Sequence, residues 1–216
     1  MSKKVLNLLL FIGLSLTTVA QLKKGVVSYD MTFSSDNEDM AMISSMMAGS
    51  KMVMSFIPGK SRVDISMGMM GNVSTISDSK AKKSLTLTDM MGMKYAVESK
   101  LEASEDNSSN QTVEITNETK TIAGYLCTKA NLTTADGNTM VIWFTKDIVA
   151  FTKGQNYMNS KVPGFPMEMM MVQDGLTIEF KATSVEKTAD KKLFKQTIPE
   201  GYDIKTEEDM KSMGGQ

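Results

Sequence analysis

Methionine is the residue type in this sequence whose abundance and spacing could support an unusual chemistry. It supplies 22 of the 216 residues, and its flexible, polarizable thioether is both an apolar gap-filler and a soft metal ligand. Fourteen methionines fall into four short clusters: Met40, Met42, Met46, Met47, Met67, Met69, Met70, Met90, Met91, Met93, Met167, Met169, Met170 and Met171. Such clusters are typical of an apolar binding cavity, of a monovalent copper site, or of ordinary hydrophobic packing.

The distribution of these clusters favours a cavity. Copper needs only about three or four sulfurs at one point, whereas the clusters supply many sulfurs from four separate segments. Burying a methionine side chain stabilises by roughly 1.5–3 kcal/mol, so the methionines are expected to contact each other or a ligand. We therefore predict a non-enzymatic binding protein that holds an apolar ligand, a lipid or an acyl group, in a methionine-lined concavity. Two alternatives stay open: a protein that binds monovalent copper, and a structural or interaction protein with no small ligand.

Other side chains able to do chemistry are scarce. Histidine is absent and Cys127 is the single cysteine, which excludes serine–histidine and cysteine–histidine catalysis and metal ligation by imidazole. Cys127 is expected to be a small side chain in a packed sheet, because a reactive thiol needs exposure and a basic neighbour. No spacing places two carboxylates together for acid–base catalysis, and no cofactor is predicted. The acidic side chains considered, all expected to be solvated, are Glu114, Glu118, Asp136, Asp147, Glu168 and Asp174.

The elements that must position the methionines begin with a strand and a helix. Residues 27–33 alternate apolar and polar side chains, as a half-buried strand does. Residues 37–48 then predict a helix, because only a 3.6-residue period gathers their apolar side chains on one side. The side chains expected to face the sheet are Met40, Ile43 and Met47, and those expected on the opposite side are Ser44 and Ser45.

Short strand-like runs separated by turn residues follow the helix and predict an antiparallel meander. They cover residues 51–57, 60–67, 72–77, 84–88, 93–99, 112–116, 121–132, 139–145 and 176–183. A polar loop at residues 102–111 interrupts them, and Asp136-Gly137-Asn138 predicts a hairpin turn. Alternate turns of a meander lie at the same end, so the turns at 68–71 and 89–92 should be neighbours, roughly 9.6 Å apart.

Residues 146–175 are expected to be irregular. Pro163 and Pro166 are too close together for a regular central strand, since proline cannot donate a ladder hydrogen bond. The segment carries the methionine cluster that begins at Met167. After the Pro-Gly sequence it is expected to act as a lid over the concavity.

Residues 118–148 carry the pattern Ile-x-Gly-Tyr-x-Cys-x-Lys followed by Trp-x-Thr. The matching residues are Ile122, Gly124, Tyr125, Cys127, Lys129, Trp143 and Thr145. In this pattern the chain resembles the secreted bacterial family called domain of unknown function 4412. Pro163-Gly164-Phe165 is also similar to the secreted group named for its Gly-Leu-Pro-Gly-Leu-Ile motif, although that match ends after Gly164.

The resemblance implies a mainly β, β-rich α+β fold. Its form would be a curved antiparallel sheet or half-barrel with a helix across the concave face, similar to the periplasmic lipoprotein carriers. The resemblance implies no reaction and no catalytic residue. Fold analogy alone does not establish a function.

The N-terminal residues have the pattern of a signal peptide. Lys3 and Lys4 precede a largely apolar run, and Thr18-Val19-Ala20 offers small residues for cleavage after Ala20. We expect a signal peptide at 1–20, a single β-rich domain at 21–202 and a frayed polar tail at 203–216. The mature protein should be periplasmic or secreted.

Composition narrows the range of partners. No later segment has about eighteen uninterrupted apolar residues, so no integral membrane segment is predicted in the mature chain. The net charge is −1 and Arg62 is the only arginine, which predicts no nucleic-acid partner. An apolar small molecule or lipid remains the expected partner.

Overall fold

The computed structural model describes residues 21–101, 111–134, 137–150, 161–173 and 175–213. Within these ranges it has twelve strands: β1 (Gly25–Ser34), β2 (Lys51–Ile57), β3 (Lys60–Ser66), β4 (Gly71–Asp78), β5 (Lys83–Met90), β6 (Met93–Lys100), β7 (Thr112–Ile122), β8 (Tyr125–Thr133), β9 (Thr139–Thr145), β10 (Phe165–Gln173), β11 (Leu176–Glu186) and β12 (Asp203–Lys205). The helical elements are α1 (Glu38–Met46), the 3₁₀ turns η1 (Gly68–Met70) and η2 (Lys191–Phe194), and α2 (Glu207–Met213). The predicted signal peptide and most of the polar loop lie outside the described residues.

All twelve strands belong to one sheet, ordered β12-β6-β5-β4-β3-β2-β1-β11-β10-β9-β8-β7. Neighbouring strands are antiparallel, except that β12 runs parallel to β6. β1 joins two meanders, β2–β6 and β7–β11, by pairing with both β2 and β11. The predicted mainly β, antiparallel meander fold is therefore confirmed. β12 and β7 form the two edges, and no pairing closes them among the described strands, so the sheet is open.

The sheet is strongly curved. Val63 on β3 and Ile142 on β9 line the same cavity, although five strand spacings separate their strands in the sheet order. In a flat sheet five spacings would span roughly 24 Å. The sheet must bend so that its two halves face each other across a concave side.

Alternation along the strands supplies the main core. Its buried side chains include Val27 and Tyr29 on β1, Met54 and Phe56 on β2, and Phe165 on β10. Phe56 and Phe165 pack with their ring centroids 5.9 Å apart. These residues anchor the middle of the sheet, from which both meanders extend.

The predicted early helix is confirmed as α1, but its packing differs from the prediction. Ile43 is 40% exposed, so the expectation that it faces the sheet is wrong. Met40 and Met47 are half-buried and Ser45 is exposed, while half-buried Ser44 donates its hydroxyl to the Met40 carbonyl over 3.1 Å. The main contacts of α1 are with β1 of the sheet and with η1, and Ile43 points away from them.

The prediction that residues 146–175 are irregular is wrong for β10. This strand lies in the interior of the sheet between β9 and β11, and it contains Pro166. The register with β9 shifts between Pro166 and Glu168, so the proline occupies a bulge where its missing N–H breaks no regular ladder. Pro163 precedes the strand.

The single predicted strand at 121–132 is two strands joined by a tight hairpin. Ile122 pairs with Tyr125, and the two turn residues between them, Ala123 and Gly124, have φ values of 47° and 84°. Positive φ at both central residues defines the type I′ turn that suits the twist of a hairpin. The predicted hairpin between β8 and β9 is confirmed by the pairing of Thr133 with Thr139.

The C-terminal segment predicted to fray is ordered over residues 203–213. β12 extends the sheet edge beside β6, and α2 follows it. The Asp209 carboxylate accepts hydrogen bonds from the N–H and the hydroxyl of Thr206, which caps α2 and lowers the pKa of Asp209. Polar composition alone was therefore a poor indicator of disorder here.

Candidate functional site

A cavity of about 410 Å³ lies on the concave side of the sheet. Strands from both meanders contribute to its wall, and most of the lining is apolar. The lining residues are Tyr29, Met52, Met54, Val63, Ile65, Gln111, Leu132, Thr134, Met140, Ile142, Pro166, Met169, Met171 and Phe180. The volume falls within the range of roughly 300–1,000 Å³ typical of small-molecule sites.

Strand register explains why these side chains converge. On one wall Met52 is paired with both Tyr29 and Ile65. On the other wall Met169 is paired with both Phe180 and Ile142. Directly paired residues point to the same face of a sheet, so each wall is a continuous apolar surface across three strands.

Tyr29 presents its ring to this cavity and not its hydroxyl. The residue is 1% exposed, and its hydroxyl donates a hydrogen bond of 2.8 Å to the Pro166 carbonyl oxygen. Burial raises the pKa of Tyr29 well above its usual value. The phenol therefore ties β1 to the bulge of β10 and stays protonated.

Gln111 and Thr134 give the cavity a polar rim. The Lys161 ammonium donates a hydrogen bond of 2.6 Å to the Gln111 carbonyl oxygen. Thr134 also lines an adjoining smaller depression together with Asn138 and Met171. The cavity thus combines a mainly apolar lining with two polar residues.

Two of the fourteen predicted methionines, Met169 and Met171, line the cavity. Met170, between them, is 42% exposed because alternate residues of a strand face opposite ways. Met167 is fully buried in the core. The expectation that all four clusters line one concavity is thus not met, and the segment expected to be a lid is a strand of the cavity wall.

The other ten predicted methionines lie on α1 or directly after it, on η1 and its flanks, and on the β5–β6 hairpin: Met40, Met42, Met46, Met47, Met67, Met69, Met70, Met90, Met91 and Met93. None of them is among the residues lining the cavity. The physical reason is that they occupy connections between strands or the ends of strands, whereas the cavity wall is made mostly of strand interiors.

Sequence reasoning missed the methionines that the structure places in the cavity, Met52, Met54 and Met140. Each lies within a regular strand and not in a cluster. The usable signal was alternation, since Met52, Met54 and Phe56 share one face of β2. Clusters of methionine occur mainly in the connections between strands, so clustering predicted the wrong residues.

Cys127 is a buried side chain, as predicted. It is 0% exposed, and its thiol donates to the Tyr125 carbonyl oxygen over 3.4 Å. Burial raises the pKa of Cys127 to about 11. Such a thiol stays protonated near neutral pH and is a poor nucleophile.

Glu168 departs from the expectation that the carboxylates are solvated. The residue is 8% exposed and is hydrogen-bonded to the Lys120 ammonium, which also lies 4.2 Å from the centroid of the Trp143 ring. Lys181 Nζ lies 3.8 Å from Glu168 Oε2. Glu168 is paired across strands with Trp143 and Lys181, so tertiary pairing assembled this cluster. Asp136 and Asp174 lie outside the described residues.

Within the described ranges, no group of three or more His, Cys, Asp or Glu side chains is placed to hold a metal ion. None of the helices described is long and apolar enough to cross a lipid bilayer.

The family model described as N-glycanase peptide, N-terminal domain, matches residues 74–207, more than half of the chain. This match includes residues 118–148, so the assignment to domain of unknown function 4412, with its weaker likeness to the Gly-Leu-Pro-Gly-Leu-Ile motif group, is wrong. The Ile-x-Gly-Tyr pattern that suggested it is the β7–β8 hairpin. No curated protein sequence matches the chain.

Several solved structures are similar to this chain at low sequence identity. PNGF-II is 16% identical with a TM-score of 0.47, and the similarity covers 85% of this chain and 31% of PNGF-II. MucB is 9% identical with a TM-score of 0.45, covering 82% of this chain and 58% of MucB. The lipoprotein LppX of Mycobacterium tuberculosis is 9% identical with a TM-score of 0.35, covering 76% of this chain and 88% of LppX. The chain thus spans about a third of PNGF-II and just over half of MucB.

Proposed function

The chain belongs to the family of N-glycanase peptide N-terminal domains. From that premise we propose that it is an exported, non-enzymatic domain that binds an apolar ligand. The ligand is an acyl chain or lipid held in the cavity of the curved sheet. The observation that carries this proposal is the pair of apolar walls, Met52 with Ile65 and Ile142 with Met169 and Phe180, that face the same cavity.

The chemistry of the cavity favours a ligand with a long apolar part. Each buried CH₂ group contributes roughly 0.8 kcal/mol, and the flexible methionines can adjust to chains of differing shape. An acyl chain therefore suits the lining.

A binding role is also favoured over catalysis by the reactive groups available. The sequence contains no histidine, and the thiol of Cys127 is buried with its pKa raised to about 11. Glu168, the buried carboxylate, is engaged by Lys120. The family description names an N-glycanase, and we propose that a domain of this type contributes ligand binding and not bond cleavage.

The proposal is tested by titrating the purified protein with a fluorescent fatty acid. Met169→Glu places a carboxylate in the apolar wall and should weaken binding by at least about tenfold. Met170→Glu is the matched control, because it makes the same change on the exposed face of the same strand. It should leave the affinity unchanged.

A second variant tests whether binding is lost while the protein still folds. Ile65→Trp adds volume to the opposite wall of the cavity and should also reduce probe binding, with circular dichroism confirming the fold. Absence of probe binding by the wild-type protein, or equal effects of Met169→Glu and Met170→Glu, would refute the proposal and leave a protein without a small ligand.

A further inference from the structure

Three methionine-bearing segments meet at one end of the sheet, and none of their methionines is among the residues lining the cavity. The N–H of Met91, in the β5–β6 hairpin, donates to the carbonyl oxygen of Met70, in the β3–β4 connection, over 3.3 Å. This confirms the prediction that the two turns are neighbours. A Cβ built on Gly71 would collide with the carbonyl oxygen of Asp89, so only glycine permits this close approach.

The end of α1 packs against the same place. A Cβ on Gly68 would lie 2.6 Å from the Met46 carbonyl oxygen and 2.9 Å from that of Ala48. Met42 lies one turn before Met46 on the same helix face. We call the ten methionines of these segments the methionine end: Met40, Met42, Met46, Met47, Met67, Met69, Met70, Met90, Met91 and Met93.

Hydrophobic packing does not explain four side chains of the methionine end. Met69 is 83% exposed, Met91 74%, Met42 72% and Met93 55%, while the other six are half-buried. A methionine contributes its roughly 1.5–3 kcal/mol only when it is removed from water. The four exposed side chains forgo most of that stabilisation in the protein as it stands.

The backbone conformation of Met91 is also unfavourable for a methionine. Met91 and Gly92 are the two central residues of the hairpin in which Met90 pairs with Met93, and Met91 has a φ of 52°. Asparagine, aspartate and glycine are preferred at such a position. A strained, exposed methionine here indicates that its thioether has a use other than folding.

The donor set of the methionine end is suited to a soft cation. Asp89, the carboxylate on the β5–β6 hairpin, is already ion-paired with Lys94 over 3.1 Å. Thioethers select monovalent copper over hard or borderline cations. We propose that the methionine end binds monovalent copper through sulfurs contributed by η1 and the β5–β6 hairpin, in a site separate from the apolar cavity.

A copper site made only of thioethers differs from other copper sites in how its affinity depends on pH. Cysteine and histidine ligands must lose a proton to bind metal, so their affinity depends on pH. A thioether carries no such proton. Copper affinity should therefore be nearly constant between about pH 5.5 and 7.5, the range over which histidine titrates.

The test is competition for monovalent copper with bicinchoninate under anaerobic conditions. Wild-type protein should withdraw copper from the chelator at both pH values. Met69→Ala and Met91→Asn should each weaken this transfer by about tenfold or more, as loss of metal-site residues does. Met91→Asn is informative because asparagine suits the turn, so the variant should fold at least as well as wild type.

Two controls separate this site from other sulfurs. Met170→Ala removes an exposed methionine elsewhere, and Cys127→Ala removes the thiol; both should keep the transfer. The ε-methyl NMR signals of Met69 and Met91 should shift with redox-inert silver(I). The proposal would be overturned if wild type withdrew no copper, if only Cys127→Ala lost the transfer, or if Met91→Asn transferred as much copper as wild type. It would also be overturned if only an apolar probe, and not silver(I), shifted the ε-methyl signals. Fatty-acid binding in the cavity is measured independently of all these results.

Discussion

Cys127 illustrates how burial governs chemistry at the scale of a single residue. Its pKa is raised to about 11 chiefly by burial, which a backbone hydrogen bond at Ile122 and the charge of Lys120 offset only in part. The folded thiol therefore holds its proton at pH values where an unfolded thiol, with an ordinary pKa near 9.0, has lost it. This difference links stability to alkaline pH.

We predict that the free energy of unfolding decreases as pH rises from about 9 to about 11. The folded pKa is raised, so the contribution is fully present below the unfolded pKa and is lost as pH approaches the folded one. Urea denaturation of wild type and Cys127→Ala should show a decrease larger by roughly 1–3 kcal/mol in wild type over this interval. The raised pKa of Tyr29 also makes the free energy of unfolding decrease at alkaline pH, in wild type and in Cys127→Ala. Parallel pH curves would contradict the prediction.

At the scale of elements, tight hairpins determine where the strands lie. The β7–β8 turn depends on Gly124, whose φ of 84° falls in the left-handed region. Nothing lies within 4 Å of a Cβ placed there, so a substitution tests backbone conformation without a steric clash. The turn fixes the register that pairs Lys120 with Cys127 and so places Lys120 near Glu168.

We predict that Gly124→Ala lowers the free energy of unfolding by about 1–2 kcal/mol, the cost of the left-handed conformation for an L-residue. Gly124→Asn should cost less although asparagine is larger, because its side chain tolerates positive φ. Thermal or urea denaturation measures both variants. A larger loss for asparagine than for alanine would indicate that space, and not the backbone, limits this position.

At the scale of the whole molecule, the first described residues are already part of the fold. Leu22 donates its N–H to the Asp147 carbonyl oxygen over 2.7 Å, and its own carbonyl accepts from Val149 over 2.9 Å. The Gln21 side chain donates to the Lys146 carbonyl oxygen. These contacts hold residues 21 and 22 against residues 146–149.

We predict that export yields a mature chain beginning at Gln21, because a basic start, an apolar run and a small-residue site occur in that order. N-terminal sequencing and intact mass of protein recovered from a bacterial periplasm give the measurement. A replacement of Ala20 by a bulky residue is the control and should block processing. A mature chain that begins at Met1 or Ser2 would exclude the exported location.

The sequence by itself determined the local elements. Alternation in β1 and β2, the apolar period of α1 and the Gly-rich turns each follow from neighbouring residues, and meander order brought the two methionine turns together. The predictions were wrong where the same residue type is compatible with more than one backbone structure. Pro163 and Pro166 were taken to exclude a regular central strand, but Pro166 occupies a bulge within one, and Ala123-Gly124 was not recognised as a turn.

Only the tertiary structure decided which residues form the cavity and which form the methionine end. Met169 and Met170 are adjacent in sequence, yet β10 sends one to the apolar wall and the other to the exposed face. Met52 and Met140 become part of one cavity because the sheet curves until distant strands face each other. Curvature arises from the twist and bulges of many strands together, so no local pattern could have specified it.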